Sequence, residues 1–148
     1  MKKFTTVFFV ALLTAMTMVS CDKEDDDDED GGDDIGSGSV GNNTLLIRKW
    51  YYFSDTYGSV TDMYDHLCPT KKDFVEFKAN NTFTTVDHDE DCTVMDTYSG
   101  SWTRSGNNLT ANLGGFSQTA AIIELTNTRL RLRYTEGGIT YIETYTSN

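Results

Sequence analysis

Between residues 129 and 134 polar and apolar side chains alternate without a break. Arg129, Arg131 and Arg133 fall on one parity; Leu130, Leu132 and Tyr134 fall on the other. A period of two puts the sets on opposite faces of a β-strand. Leu109, Ala111 and Leu113 repeat the pattern, as do Tyr98, Gly100 and Trp102. Turn chemistry separates the runs, with Asn80-Asn81, Ser105-Gly106-Asn107 and Gly137-Gly138 at the positions of tight hairpins. The pattern predicts strands over 45–53, 74–78, 82–86, 97–104, 109–113, 119–125, 129–135 and 139–146, with an irregular stretch between the first two. Eight antiparallel strands, each with one apolar face, are best satisfied by closing into an up-and-down barrel, which also removes exposed edges. A two-sheet β-sandwich is the other all-β arrangement the pattern permits.

The first 43 residues follow a different pattern. Lys2 and Lys3 precede an apolar run from Phe4 to Val19, and Ser20 stands directly before Cys21. A positive start, a short apolar run and a small residue at the boundary make an export signal over residues 1–20. The run is shorter than the roughly 20 apolar residues of a spanning helix. Met18-Val19-Ser20-Cys21 resembles the lipobox of bacterial lipoproteins, with Met18 where leucine is commoner. The resemblance implies cleavage before Cys21, attachment of palmitate-type acyl chains to it, and a membrane partner reached through that lipid.

Charge is concentrated just behind this cysteine. Residues 22–34 hold ten acids and Lys23, whereas the 148-residue chain carries −11. The acidity therefore belongs to a tether, residues 21–43, which ends in a Gly/Ser linker. Like charges keep such a segment extended, to roughly 75 Å at full stretch. An acidic run after the lipidated cysteine resembles the surface-export signal of lipoproteins from the Bacteroides group, which implies an outer-membrane location facing the cell exterior. Asp26, Asp28, Asp30 and Gly31 match half a calcium loop, but Ser37 stands where a bidentate Glu is required.

Cysteine parity agrees with export. Of Cys21, Cys68 and Cys92, lipidation removes the first, and an exported protein rarely leaves a thiol spare. The remaining two are expected to form a disulfide.

Several blocks across the folded region, residues 44–148, then carry a family resemblance. Leu46-Ile47-Arg48-Lys49-Trp50, Phe77-Lys78-Ala79-Asn80-Asn81-Thr82-Phe83 and Ser99-Gly100-Ser101-Trp102 are similar, in order and spacing, to lipocalin-like domains of small Bacteroides-group lipoproteins. So are Asn108-Leu109-Thr110 and the run from Ile123 to Leu130. Arg48 departs from the family, which usually has Gly two residues before the first tryptophan. The resemblance implies a barrel that binds a small apolar or amphipathic molecule.

The side chains expected to line that barrel are Trp50, Tyr52, Phe77, Phe83, Tyr98, Trp102, Leu130, Leu132 and Tyr134. Aromatic walls suit an apolar pocket. An eight-stranded barrel can also fill itself, which would leave a structural or protein-interaction module. Tyr141, Glu143 and Tyr145 share one face of the last strand, and we expect Glu143 to point outward, towards Arg131 or Arg133. Asp87-His88-Asp89-Glu90-Asp91-Cys92 reads as a solvated acidic loop. Zinc would need three or four converging ligands, and His66 is the sole further histidine, brought near His88 if Cys68 and Cys92 pair. Net acidity argues against nucleic acid. Nucleophile-elbow, zinc-protease and phosphate-loop motifs are absent, so no enzyme, cofactor or metal is expected.

Overall fold

The computed structural model describes residues 43–148; the expected leader, Cys21 and the acidic run lie outside the described residues. A single 3₁₀ turn, Asn43–Leu45, leads into nine strands: β1 (Lys49–Tyr57), β2 (Val60–Met63), β3 (Phe74–Phe77), β4 (Thr82–His88), β5 (Val94–Ser105), β6 (Asn108–Leu113), β7 (Phe116–Leu125), β8 (Arg129–Glu136) and β9 (Ile139–Thr146). Every neighbouring pair is antiparallel, and β1 pairs with β9, so the sheet closes into a barrel. Among the described residues no helix is long and apolar enough to cross a membrane.

β2 is the strand absent from the sequence expectation. Its four residues are all exposed, so it carries no apolar face for the pattern to reveal. It pairs with Ser54–Tyr57, the upper part of β1, while β3 pairs with Lys49–Tyr51 below it. The barrel therefore has eight walls, one of them shared end to end by β2 and β3. β1 also starts four residues later than expected and runs on to Tyr57, because the 3₁₀ turn occupies the chain before it.

The lower end is sealed. Trp50 is fully buried and donates its indole N–H to the Leu46 carbonyl (3.0 Å), and Leu46 itself is fully buried. Trp102 donates to the carbonyls of Thr82 (3.1 Å) and Lys78 (3.3 Å). Arg48 lies over the Trp50 ring and donates to the Asn127 carbonyl (2.8 Å), so the departure from glycine supplies a clasp across the floor. Phe77 meets the Trp102 ring edge-on, and Phe83, Leu109 and Leu130 complete the packing. Gly100 is dictated by this packing. A Cβ there would sit 2.1 Å from the Asn112 carbonyl oxygen and 2.6 Å from the Phe83 ring.

Outside, Arg131 pairs with Glu124 (3.9 Å), so Arg129, Arg131 and Arg133 form the outer face of β8. Cys68 and Cys92 form a disulfide across 24 residues. It joins the β2–β3 loop to the β4–β5 loop at the upper rim.

Candidate ligand-binding site

Trp50, Tyr52, Phe77, Phe83, Trp102, Leu130, Leu132 and Tyr134 are all buried in the interior. Tyr98 is not: it stands opposite buried Thr85, on the inner parity, yet is 39 % exposed. The cause is strand length. β6 pairs with β5 only over Ser101–Ser105, so in the described ladders Val94–Gly100 has β4 alone beside it. Tyr98 consequently stands at an open rim and does not line a closed wall.

Above the aromatic floor the interior becomes polar. Residues directly opposite in an antiparallel ladder share a face. Leu132 stands opposite Glu143, and Glu143 opposite Asp55. Glu143 therefore points inward, 3 % exposed, contrary to the expectation of a surface acid. Its two carboxyl oxygens accept from Tyr134 Oη (3.1 Å) and Tyr145 Oη (2.5 Å). Burial, followed by the Asp55 charge, drives its pKa up from 4.5 to about 8, against the opposing pull of the two tyrosine hydrogen bonds. Near neutral pH this side chain is a neutral acid.

A β-bulge after Tyr52 makes the inward turn of Asp55 possible. The β1–β9 register steps between Tyr52 and Ser54, so the inner parity passes from Trp50 and Tyr52 to Asp55 and Tyr57. Asp55 stands opposite Asp62, and burial together with that neighbour raises it to about 6. Tyr57 donates to Asp62 Oδ2 (2.8 Å).

Across the barrel, β4 presents Phe83, Thr85 and Asp87 on its buried parity. Thr85 is 2 % exposed and Asp87 5 % exposed, and neither the Thr85 hydroxyl nor Asp87 Oδ1 has a hydrogen-bond partner. Asp87 stands opposite Asp96. Burial, then the charges of Asp73 and Asp96, raises its pKa to about 6, although His88 beside it acts the other way. The tyrosines between these acids stack: Tyr52 on Tyr64 (centroids 4.9 Å) and Tyr134 on Tyr141 (5.3 Å).

Asp87 and His88 thus belong to the buried structure, and only the Glu90–Asp91 part of the expected solvated loop is exposed. The two histidines converge on buried Asp73. His88 approaches Asp73 Oδ1 through both its backbone N–H (2.7 Å) and Nδ1 (3.2 Å), and Tyr64 donates to Oδ2 (3.0 Å). His66 Nδ1 accepts from the Asp73 backbone N–H (3.0 Å), which leaves Nε2–H to donate to the Tyr52 carbonyl (3.1 Å). This network pins the β2–β3 loop into the gap that β2 and β3 leave beside β4. Among the described residues no group of three or more His, Cys, Asp or Glu side chains is placed to hold a metal ion.

A family model described as a lipocalin-like domain matches residues 46–132. A lipocalin-like protein from Bacteroides uniformis is similar in structure, with TM-score 0.56 and 17 % identity over 70 % of this chain and 99 % of its own. An uncharacterised protein from Bacteroides eggerthii is similar as well, with TM-score 0.52 and 13 % identity over 67 % and 98 %. No curated protein matches the chain.

Proposed function

The chain belongs to the family of lipocalin-like domains, and we propose that it is a lipid-anchored lipoprotein of the outer cell surface whose barrel holds a small amphipathic ligand in its upper half. One observation carries the binding half of this reading. Thr85 and Asp87 are buried on the inner face of β4 with polar atoms left unpaired. Each buried unsatisfied group costs about 1–3 kcal/mol, a cost that the polar head of a bound ligand would offset. The sealed aromatic floor gives the apolar end of a ligand a dry surface, and the polar upper half faces its head. Binding is the function we assign.

Support for the anchor is sequence alone: the lipobox-like Met18-Val19-Ser20-Cys21 and the acidic run behind it. Cys21→Ser should release the protein from the membrane fraction, and unchanged membrane association would remove the anchoring claim. For the barrel, the test is native mass spectrometry of the intact protein taken from its producing cell, followed by organic extraction. A stoichiometric small molecule supports binding; a clean apo mass, repeated after exposure to fatty acids and amphipathic compounds, removes it.

The second reading, a protein-interaction module, draws on the rim. Val94, Met95, Tyr98 and Phe116 are exposed there, beside the stretch of β5 that lacks a second neighbour.

A further inference from the structure

Of the Asp, Glu, Lys and Arg residues, those that the ladder registers place on the inner face of the upper half are all acids. Asp55 and Asp62 come from the β1–β2 hairpin, and Asp87 and Asp96 from β4 and β5. Glu143 comes from β9, and Glu136 stands on the parity of Leu132 and Tyr134 in β8. The lysines and arginines of these strands fall elsewhere: Arg129, Arg131 and Arg133 on the outer parity of β8, Lys49 and Arg104 at the lower end. Like charges gathered in one partly enclosed space repel each other, and removing a carboxylate from water without a counter-charge is costly. Asp55, Asp87 and Glu143 all show that penalty in raised pKa values.

We propose that the upper half of the barrel is a site for an organic cation, a protonated amine with an apolar body, taken up with its ammonium group against Asp87 and Thr85 and its body among the tyrosines. This rests on the binding reading above and names the chemistry of its ligand. The unpaired Asp87 Oδ1 is an acceptor and the unpaired Thr85 hydroxyl oxygen can accept, whereas an ammonium group has donors and no acceptor. Tyrosine faces add attraction for a cation near the ring. Tyr52, Tyr64, Tyr134 and Tyr141 present stacked pairs on the walls next to these acids. A metal ion needs several ligands converging on one point, and among the described residues no three His, Cys, Asp or Glu side chains are placed to do so. A carboxylate ligand, such as a fatty acid, would add a negative charge to a space that holds no inward cation to receive it.

The test is calorimetric titration of the intact chain near neutral pH with six probes sharing two carbon skeletons. These are 2-phenylethylamine and octylamine, the matching alcohols, and phenylacetate and octanoate. The expected result is that an amine binds at least tenfold more tightly than its alcohol and carboxylate counterparts. That preference should fall about tenfold in Asp87→Asn and with added salt. The wild-type salt series keeps the test independent of how well the variant folds. If an alcohol or a carboxylate binds as well as its amine, the cation inference is overturned while ligand binding stands. If none of the six binds, both fail.

Discussion

Replacing Glu143 with Gln is expected to change how the protein's stability depends on pH. The folded carboxyl titrates near 8, against 4.5 for an unperturbed glutamate. Between those limits the folded protein holds a proton that the unfolded chain has released. Stability from this group is therefore fully present below about pH 4.5 and is lost as pH rises through about 8. At about 1.4 kcal/mol per pH unit, the whole interval amounts to roughly 5 kcal/mol, most of it lost by pH 7.5. Gln cannot ionise, yet its amide oxygen can accept from one tyrosine while its NH₂ group donates to the oxygen of the other. That exchange costs about 1 kcal/mol. The variant should therefore be slightly less stable than wild type near pH 5 and more stable by about 3 kcal/mol near pH 8.5. Urea unfolding of both proteins at several pH values across that range gives the difference directly, and groups titrating alike in both cancel. Asp55 faces Glu143 from β1 and titrates near 6, so the comparison is cleanest above pH 7. A stability difference that stays flat across the range would refute the reasoning: it would mean that Glu143 ionises like a surface acid.

Three further outcomes follow from the packing and the cross-link. Gly100→Ala should destabilise the barrel by more than about 2 kcal/mol, read by urea unfolding, because its Cβ would meet the rigid Asn112 carbonyl as well as the Phe83 ring. Leu130→Ala, at a fully buried position, should cost roughly 2–5 kcal/mol by the same measurement, and a loss under about 1 kcal/mol would contradict the sealed floor. Reducing the disulfide should lower stability by about 3–4 kcal/mol for its 24-residue separation, and proteolysis should then cut first in the β2–β3 loop it tethers. If amines bind as inferred, affinity should rise between pH 5 and pH 7.5, because ionising Asp87 near pH 6 supplies the counter-charge; Asp73, Asp96 and His88 are the titratable neighbours that act on it.

Strands with one wet and one dry face were legible in the sequence. Arg129–Glu136 shows its parity in three arginines against two leucines and a tyrosine, and Asn108–Leu113 shows its own nearly as well. The disulfide followed from counting, once one cysteine of three was assigned elsewhere. The rest failed for identifiable reasons. Val60–Met63 is exposed at every position and has no periodicity to detect. Tyr98 carries the correct parity, but the place where its neighbour strand stops is a property of the β6–β7 hairpin, set at Gly114-Gly115. The inward position of Asp55, and of Asp62 opposite it, depends on a bulge after Tyr52, which shifts parity by one residue without any mark in the local sequence.

Glu143 is a different kind of miss, because the information was present. A polar side chain between two tyrosines says nothing by itself about which face is buried, and assigning the acid to solvent applies an average preference to a single residue. Hairpin geometry is the stronger constraint. Gly137 and Gly138 both have positive φ (56° and 81°), as a two-residue turn matched to strand twist requires, and such a turn places Glu136 opposite Ile139. Counting back from it pairs Tyr134 with Tyr141, Leu132 with Glu143 and Leu130 with Tyr145. Since Leu130 and Leu132 must face the core, their partners face it too, and the acid goes inside whatever its own preference. Once it is there, the hydroxyls of Tyr134 and Tyr145 become its hydrogen-bond donors. The same register therefore accounts both for the buried acid and for the tyrosines around it.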